Sequence, residues 1–162
     1  MASKTDKKDT EQFLTFYLDR EIFALNVLQI KEIISYSKVT EVPLTLPEII
    51  GVTNIRGSVI PVIDLGVRLG IRDSCDITER TSIIIVENME DDVIFEVGLV
   101  VDLVNKVYDI SLKTMEDVPA FGSKISKKFM MYVGNIDSEF ITILNHKTIL
   151  DAQELSEIAQ KE

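Results

Sequence analysis

The chain has 162 residues, 46% of them hydrophobic and 27% charged, with a formal net charge of −10. That length supports one domain with its own core, and the apolar content excludes a globally disordered chain. An acidic chain with no basic cluster cannot grip phosphate, so neither nucleic acid nor an anionic membrane surface is an expected partner.

Residues 1–11 read as a flexible polar tail ahead of a single domain over 12–162. The tail has no apolar run and does not read as a secretory signal. No uninterrupted apolar run approaches the roughly 20 residues that crossing a bilayer requires. A cytoplasmic protein without direct membrane insertion is the expectation. Cys75 is the single cysteine, so no internal disulfide can form. Asp73 and Asp76 beside it disfavour a thiolate, which favours a loop-filling residue over a reactive one.

Residues 12–19 predict a strand, with Leu14, Phe16 and Leu18 on one face and Phe13, Thr15 and Tyr17 on the other. A polar turn at Asp19-Arg20-Glu21 leads into a second strand, Ile22 to Asn26, completing a hairpin. The period then changes. Val27, Ile30, Ile33 and Ile34 recur at helical spacing and predict a short amphipathic helix. Such a stripe packs on a barrel or stays partly exposed as a docking surface; the residues alone favour packing. Residues 35–48 form a connection containing Pro43 and Pro47, with one short strand at Val39 to Val42.

The run from Gly51 to Leu65 reads as two strands meeting at Arg56-Gly57-Ser58. Glycine takes positive φ at no steric cost, so Gly57 suits a tight turn. The second strand is apolar on both faces, with Val59, Ile63 and Leu65 on one and Ile60 and Val62 on the other, as a strand buried on both sides should be. Pro61 has no N–H and belongs at an edge or a bulge. Arg56 is by physics alone a solvated turn arginine; display to a protein partner is the sharper alternative.

Gly66 to Gly70 predicts a single helical turn, and 71–80 a polar loop. A buried strand follows at Ile83 to Val86, then a turn at Met89-Glu90-Asp91-Asp92. Val93 to Leu103 is a long strand region in which Gly98 marks a bulge or bend. Asn105 to Ile110 adds a strand, and 111–128 an irregular connection with Pro119 and Gly122. Phe129 to Val133 and Phe140 to Leu144 form a hairpin across Asn135 to Ser138. From His146 onward, Ile149, Ala152, Leu155 and Ile158 predict a C-terminal helix. The chain is therefore mostly β, in two strand-rich halves that suit two small barrels, with no clear internal sequence repeat.

No catalytic constellation is legible. His146 is the only histidine and has no cysteine or carboxylate at zinc-ligand spacing. Glu90, Asp91 and Asp92 read as a solvated turn. No glycine-rich phosphate loop with its lysine occurs. Neither a metal nor a cofactor is expected.

The glycine, Asn, Arg-Gly, Pro and Asp-Leu of the central run, namely Gly51, Asn54, Arg56, Gly57, Pro61, Asp64 and Leu65, stand in register with the signature of the CheW family, the coupling proteins of bacterial chemotaxis. The resemblance extends to Ile30, Glu32 and Ile33, to Val39 through Pro43, to Gly98 through Val104, and to Val133 through Leu150. Gly66 departs from the family, which usually has arginine there, and Asn145 replaces a frequent acidic residue; both departures are expected to leave the fold untouched. The resemblance implies two small five-stranded β-barrels packed around a shared core, with short helices including a C-terminal one, and no enzymatic activity. It implies two partners, the regulatory domain of the histidine kinase CheA and methyl-accepting chemoreceptors, met in arrays at the inner face of the membrane. It marks Ile30, Glu32, Ile33, Gly51, Asn54, Arg56, Gly57, Val101 and Asp102 as partner-binding, with Ile30, Ile33 and Val101 burying aliphatic surface against a receptor helical hairpin and Arg56 on the rim. The alternatives are a small-ligand-binding β-barrel protein, or a CheW-like adaptor of another CheA-type pathway.

Overall fold

Period-two alternation of β-branched and aromatic residues builds most of the described residues into strands. The structure, a computed structural model, describes residues 9–37, 39–41, 48–74, 76–118 and 125–151. Its strands are β1 (Thr10–Leu18), β2 (Glu21–Asn26), β3 (Ile30–Ser35), β4 (Ile49–Ile55), β5 (Ser58–Asp64), β6 (Ser82–Glu90), β7 (Val93–Val101), β8 (Leu103–Ser111), β9 (Met130–Ile136) and β10 (Glu139–Leu144). Two single-turn helices, α1 (Leu65–Arg68) and α2 (His146–Ile149), follow β5 and β10.

The strands form the expected pair of five-stranded units. The first sheet has the order β8-β1-β2-β10-β9 and the second β3-β6-β7-β5-β4. Hydrogen bonding leaves β8 and β9, and β3 and β4, as edges, so each unit is a curled sheet rather than a closed ladder. The division does not fall at the middle of the chain. The N-terminal hairpin β1–β2 joins the C-terminal strands, and the central segment makes the second sheet alone.

This division conceals a repeat that the amino-acid letters do not show. With the strands of the first sheet ranked from β8 through β9, β10, β1 and β2, its order is 1-4-5-3-2, and the second sheet ranked from β3 gives the same 1-4-5-3-2. The single parallel pair falls between ranks five and three in both, β2 with β10 and β7 with β5. An isolated bridge onto the rank-two strand recurs too, Thr40 to Val52 and Glu116 to Val133. The helical turn after rank three is capped alike: Asp64 Oδ1 accepts from Val67 N at 3.3 Å, and Asn145 Oδ1 accepts from Lys147 N at 3.1 Å. Asn145 thus caps its turn as the aspartate does, and the departure leaves the fold intact.

Three apolar clusters follow from the alternation. Leu14, Phe16, Leu18, Phe23 and Leu25 of the first sheet meet Ile63, Ile84, Val86, Leu99 and Val101 of the second in a common core. The opposite faces curl around private cores, Phe13, Ala24, Ile110, Ile141 and Ile143 in the first sheet, and Ile60, Val62, Ile83, Ile85 and Val100 in the second. The predicted two-faced burial of β5 and the division of β1 into two faces are borne out by this partition. Val59 is the exception and is exposed. Pro61 stands one residue before the part of β5 that pairs with β7, where β4 is its only neighbouring strand.

Several expectations are corrected. Val27 to Ile34 is not a helix: Asn26 Oδ1 accepts from Leu28 N at 2.9 Å and caps a single 3-10 turn, Val27–Gln29, after which β3 pairs with β6. A bulge between Ile30 and Glu32 shifts the register, so Ile30 packs on the common core and Ile34 on the private core. That extra residue imitates helical spacing. Gly98 is no bulge, since the β6–β7 register runs unbroken from Ser82↔Val101 to Glu90↔Val93. A Cβ there would stand 2.7 Å from Ile83 Cγ2, so the glycine admits a close neighbour. Met89 and Glu90 belong to β6, which leaves Asp91-Asp92 as the turn, both at positive φ. β1 begins at Thr10, inside the expected tail. The strand expected at Val39 to Val42 reduces to the Thr40 bridge. Residues 1–8, Val42, Pro43, Pro47, Cys75, Pro119, Gly122 and the apolar positions Ala152, Leu155 and Ile158 lie outside the described residues.

Because the common core takes side chains from both sheets, the sheets should unfold together. Phe16→Ala is expected to cost about 3–5 kcal/mol, read as a lowered urea midpoint. Near- and far-UV circular dichroism should report a single coincident transition; two separate transitions would contradict a shared core.

Candidate interaction surface

The β4–β5 hairpin closes in two residues, Arg56 and Gly57, at φ +51° and +85°, the pairing that a type I′ turn demands. Asn54 Oδ1 accepts from Gly57 N at 3.1 Å and braces the turn. Holding an arginine in this left-handed region costs about 1–2 kcal/mol. The turn aims Arg56 across the mouth of the curled sheet at β3, the opposite edge. Arg56 Nη1 lies 3.1 Å from Glu32 Oε1, and Nη2 lies 3.5 Å from Oε2. The pair therefore links the hairpin of one edge strand of the second sheet to the other edge strand. Beneath it Ile34 and Ile55 pack on the same private core. The Arg56 side chain is 76% exposed, so the pair contributes at most about 1 kcal/mol to stability.

Ile33 projects from the other face of β3 and is 43% exposed. Lys31, the extra residue of the bulge, bonds Glu96 through its ammonium and lies 4.0 Å from Glu87. The hydrogen bond to the Glu96 carboxylate holds Lys31 above its ordinary range.

The remaining sequence-predicted residues are placed differently. Ile30 is half-buried against the common core. Gly51 is buried, and a Cβ on it would stand 2.0 Å from the Thr40 carbonyl oxygen, so its role is to admit the backbone bridging β4. Val101 is fully buried in the common core and cannot offer aliphatic surface to a partner, because β7 is a central strand covered on both faces. Asp102 follows the C-terminal end of β7. The Arg56-Gly57 turn precedes β5, which runs parallel to β7, so Asp102 lies at the opposite end of the sheet. Its carboxylate accepts from Arg72 Nη1 at 2.7 and 2.8 Å. The structure thus brings together Glu32, Asn54, Arg56 and Gly57, sets Ile33 on the outer face of the same edge strand, and assigns Gly51, Val101 and Asp102 to the framework.

Three features had no distinct signal in the sequence. Arg68 is buried in α1 and donates from Nε to the Ile149 carbonyl at 3.1 Å and from Nη2 to the Thr148 carbonyl at 3.3 Å, with its guanidinium 5.0 Å above the Phe129 ring. Arg72, in a stretch read as a polar loop, bridges Asp64 and Asp102. Leu28, 83% exposed, borders a groove of about 410 Å³ with Met89, Ile94, His146 and Lys147. Burial, helped by Lys147, lowers the His146 pKa from its ordinary 6.5. Among the described residues no cluster of histidine, cysteine or carboxylates could hold a metal ion, and no helix is long and apolar enough to cross a membrane.

Two curled five-stranded sheets around a common core, with the Asn-x-Arg-Gly hairpin across the mouth of one, define a CheW-like fold. A family model, CheW-like domain, matches residues 12–154, and the chain belongs to that family. It is 32% identical to the chemotaxis protein CheW of Bacillus subtilis (strain 168) over 146 residues, 90% of each chain. It is 29% identical to chemotaxis protein CheW of Klebsiella aerogenes, covering 90% of this chain and 85% of that one. The crystal structure of the scaffolding protein TtCheW from Thermoanaerobacter tengcongensis superposes with a TM-score of 0.74 at 29% identity over 84% of both chains.

The burial pattern separates framework from surface. Gly51→Ala should lower the thermal midpoint clearly, whereas Arg56→Leu should change stability by less than about 1 kcal/mol; equal losses in the two melts would contradict the assignment. His146 supplies a pH signature. With its folded pKa depressed, the unfolded chain binds the proton more tightly, so its contribution is intact above pH 6.5 and is lost as pH falls through the folded pKa. Thermal midpoints taken between pH 7.5 and 5 should fall more steeply for the wild type than for His146→Gln.

Proposed function

We propose that this chain is a non-catalytic scaffold that couples the cytoplasmic tips of methyl-accepting chemoreceptors to the regulatory domain of the histidine kinase CheA, in arrays at the inner face of the membrane. Membership of the family, and relatives named as chemotaxis and scaffolding proteins, support the coarse reading. One observation carries the finer one: exposed aliphatic surface at Ile33 borders an ion pair, Glu32–Arg56, that the fold does not need for stability. An amphipathic receptor helix would bury Ile33 and meet the charged pair at the rim. Asn54 and Gly57 hold the arginine in place, and half-buried Ile30 continues the apolar strip. An adaptor of another CheA-type pathway would share this surface and differ only in its partners.

Ile33→Asp and Arg56→His should leave circular dichroism and cooperative unfolding unchanged. Co-sedimentation with receptor signalling fragments and CheA should weaken tenfold or more, about 1.4 kcal/mol. Wild-type-like assembly by both variants would remove these residues from the surface. Failure of the wild type to join either partner would remove the function.

A further inference from the structure

Three carboxylates from distant parts of the chain converge on one guanidinium. Asp64 ends β5 of the second sheet, Asp102 occupies the bend between β7 of the second sheet and β8 of the first, and Asp19 lies in the β1–β2 turn of the first. Arg72 Nη2 donates to Asp64 Oδ1 at 2.9 Å. Its Nη1 donates to both Asp102 oxygens and to Asp19 Oδ1 at 3.3 Å. Asp102 Oδ2 also accepts from Asp19 N at 2.6 Å, tying the two turns directly. The Arg72 side chain is 11% exposed and that of Asp64 3%, so that bond is shielded from water and salt, whereas Asp102 is partly and Asp19 half exposed.

Gly66 makes this arrangement possible. A Cβ on it would stand 2.5 Å from Arg72 Nε and 2.8 Å from Cζ. Gly66 also accepts from Ile71 N at 2.9 Å, which turns the chain so that Arg72 lies back over α1. The glycine that departs from the family pattern thus offers a bare face, and the guanidinium lies on it.

The common core draws the sheets together but does not by itself dictate their angle, since apolar burial is non-directional. A guanidinium that grips carboxylates of both sheets is directional. Without it, three carboxylates face one another across the seam and repel. We propose that Arg72, laid over Gly66, is a positioning residue that fixes the angle between the two sheets. On the scaffold reading above, that angle sets how surfaces on the two sheets are presented to two partners at once.

Residual dipolar couplings test the angle in the isolated full chain. In the wild type one alignment tensor should fit both sheets. In Arg72→Ala each sheet should still fit by itself while the joint fit is lost, with Arg72→Lys between the two. Gly66→Ala should disturb the joint fit in the wild-type background and add nothing to Arg72→Ala, because the overlapping group is gone. A joint fit retained in Arg72→Ala overturns the proposal, as does a Gly66→Ala effect that persists without Arg72. Should Arg72→Ala fail to fold, retention of the wild-type joint fit by both Arg72→Lys and Gly66→Ala overturns it equally. Co-sedimentation then separates this from the scaffold reading. Arg72→Ala should keep each binary complex and lose the three-component one; absence of all binding in the wild type would refute the scaffold while the tensor result stands.

Discussion

Everything in this molecule is arranged around one apolar layer shared by two sheets. Each sheet alone has a private core of a few side chains, Phe13, Ala24, Ile110, Ile141 and Ile143 in one and Ile60, Val62, Ile83, Ile85 and Val100 in the other. Five residues of that size cannot offset the conformational entropy of ordering a five-stranded sheet. The larger cluster, with Phe16, Phe23, Leu25, Ile84, Leu99 and Val101 buried to the last few per cent, makes the two sheets one cooperative unit. It also explains why Val101 could never be a contact residue. A central strand flanked by a private core and a common core has no free face.

The permuted repeat gives that layer its symmetry. Corresponding strands send corresponding residues to it, as Ile63 and Leu144 do one residue before the capped turns at Asp64 and Asn145. Polar links then break the symmetry. Arg68 of α1 reaches the carbonyls at the end of α2, and Arg72 holds the seam by its carboxylates. The two arginines stand four residues apart, Arg68 at the end of the one strand–helix unit that carries the family signature and Arg72 just after it. The unit that presents Arg56 at one end therefore also organises the packing at the other.

Local patterns made much of this legible. Alternation placed Leu14, Phe16 and Leu18 against Phe13 correctly, and Arg56-Gly57 was readable as a turn because glycine at that spacing has a conformational reason. The failures have physical causes. The bulge between Ile30 and Glu32 adds one residue to a period of two, and the sum imitates a helix. The β1–β2 hairpin sits in a sheet with β8 to β10 because of long-range pairing that no local window contains. Arg72 looked like any charge in a polar loop, because its three carboxylate neighbours are 8, 30 and 53 residues away. Of the candidate site, the Glu32–Arg56 pair and Ile33 came through as surface, whereas Gly51, Val101 and Asp102 belong to the framework. A signature marks what a fold requires together with what a partner requires, and only burial separates the two.

That separation bears on how such a surface can change. Arg56 is held in a left-handed backbone by Gly57 and Asn54, and its side chain meets Glu32 in the open, where an ion pair adds little to stability. Substitutions at Glu32, Ile33 and Arg56 can therefore change the surface without threatening the core. The turn that presents Arg56 is fixed by different residues, Asn54 and Gly57, and the approach of Thr40 to Gly51 fixes the strand beneath. On the scaffold reading, stability and recognition thus rest on interleaved but separate positions of the segment that carries Arg56. The segment reads as a single motif in sequence because both sets must keep their spacing for a charged side chain to span the mouth of the sheet and reach the far edge.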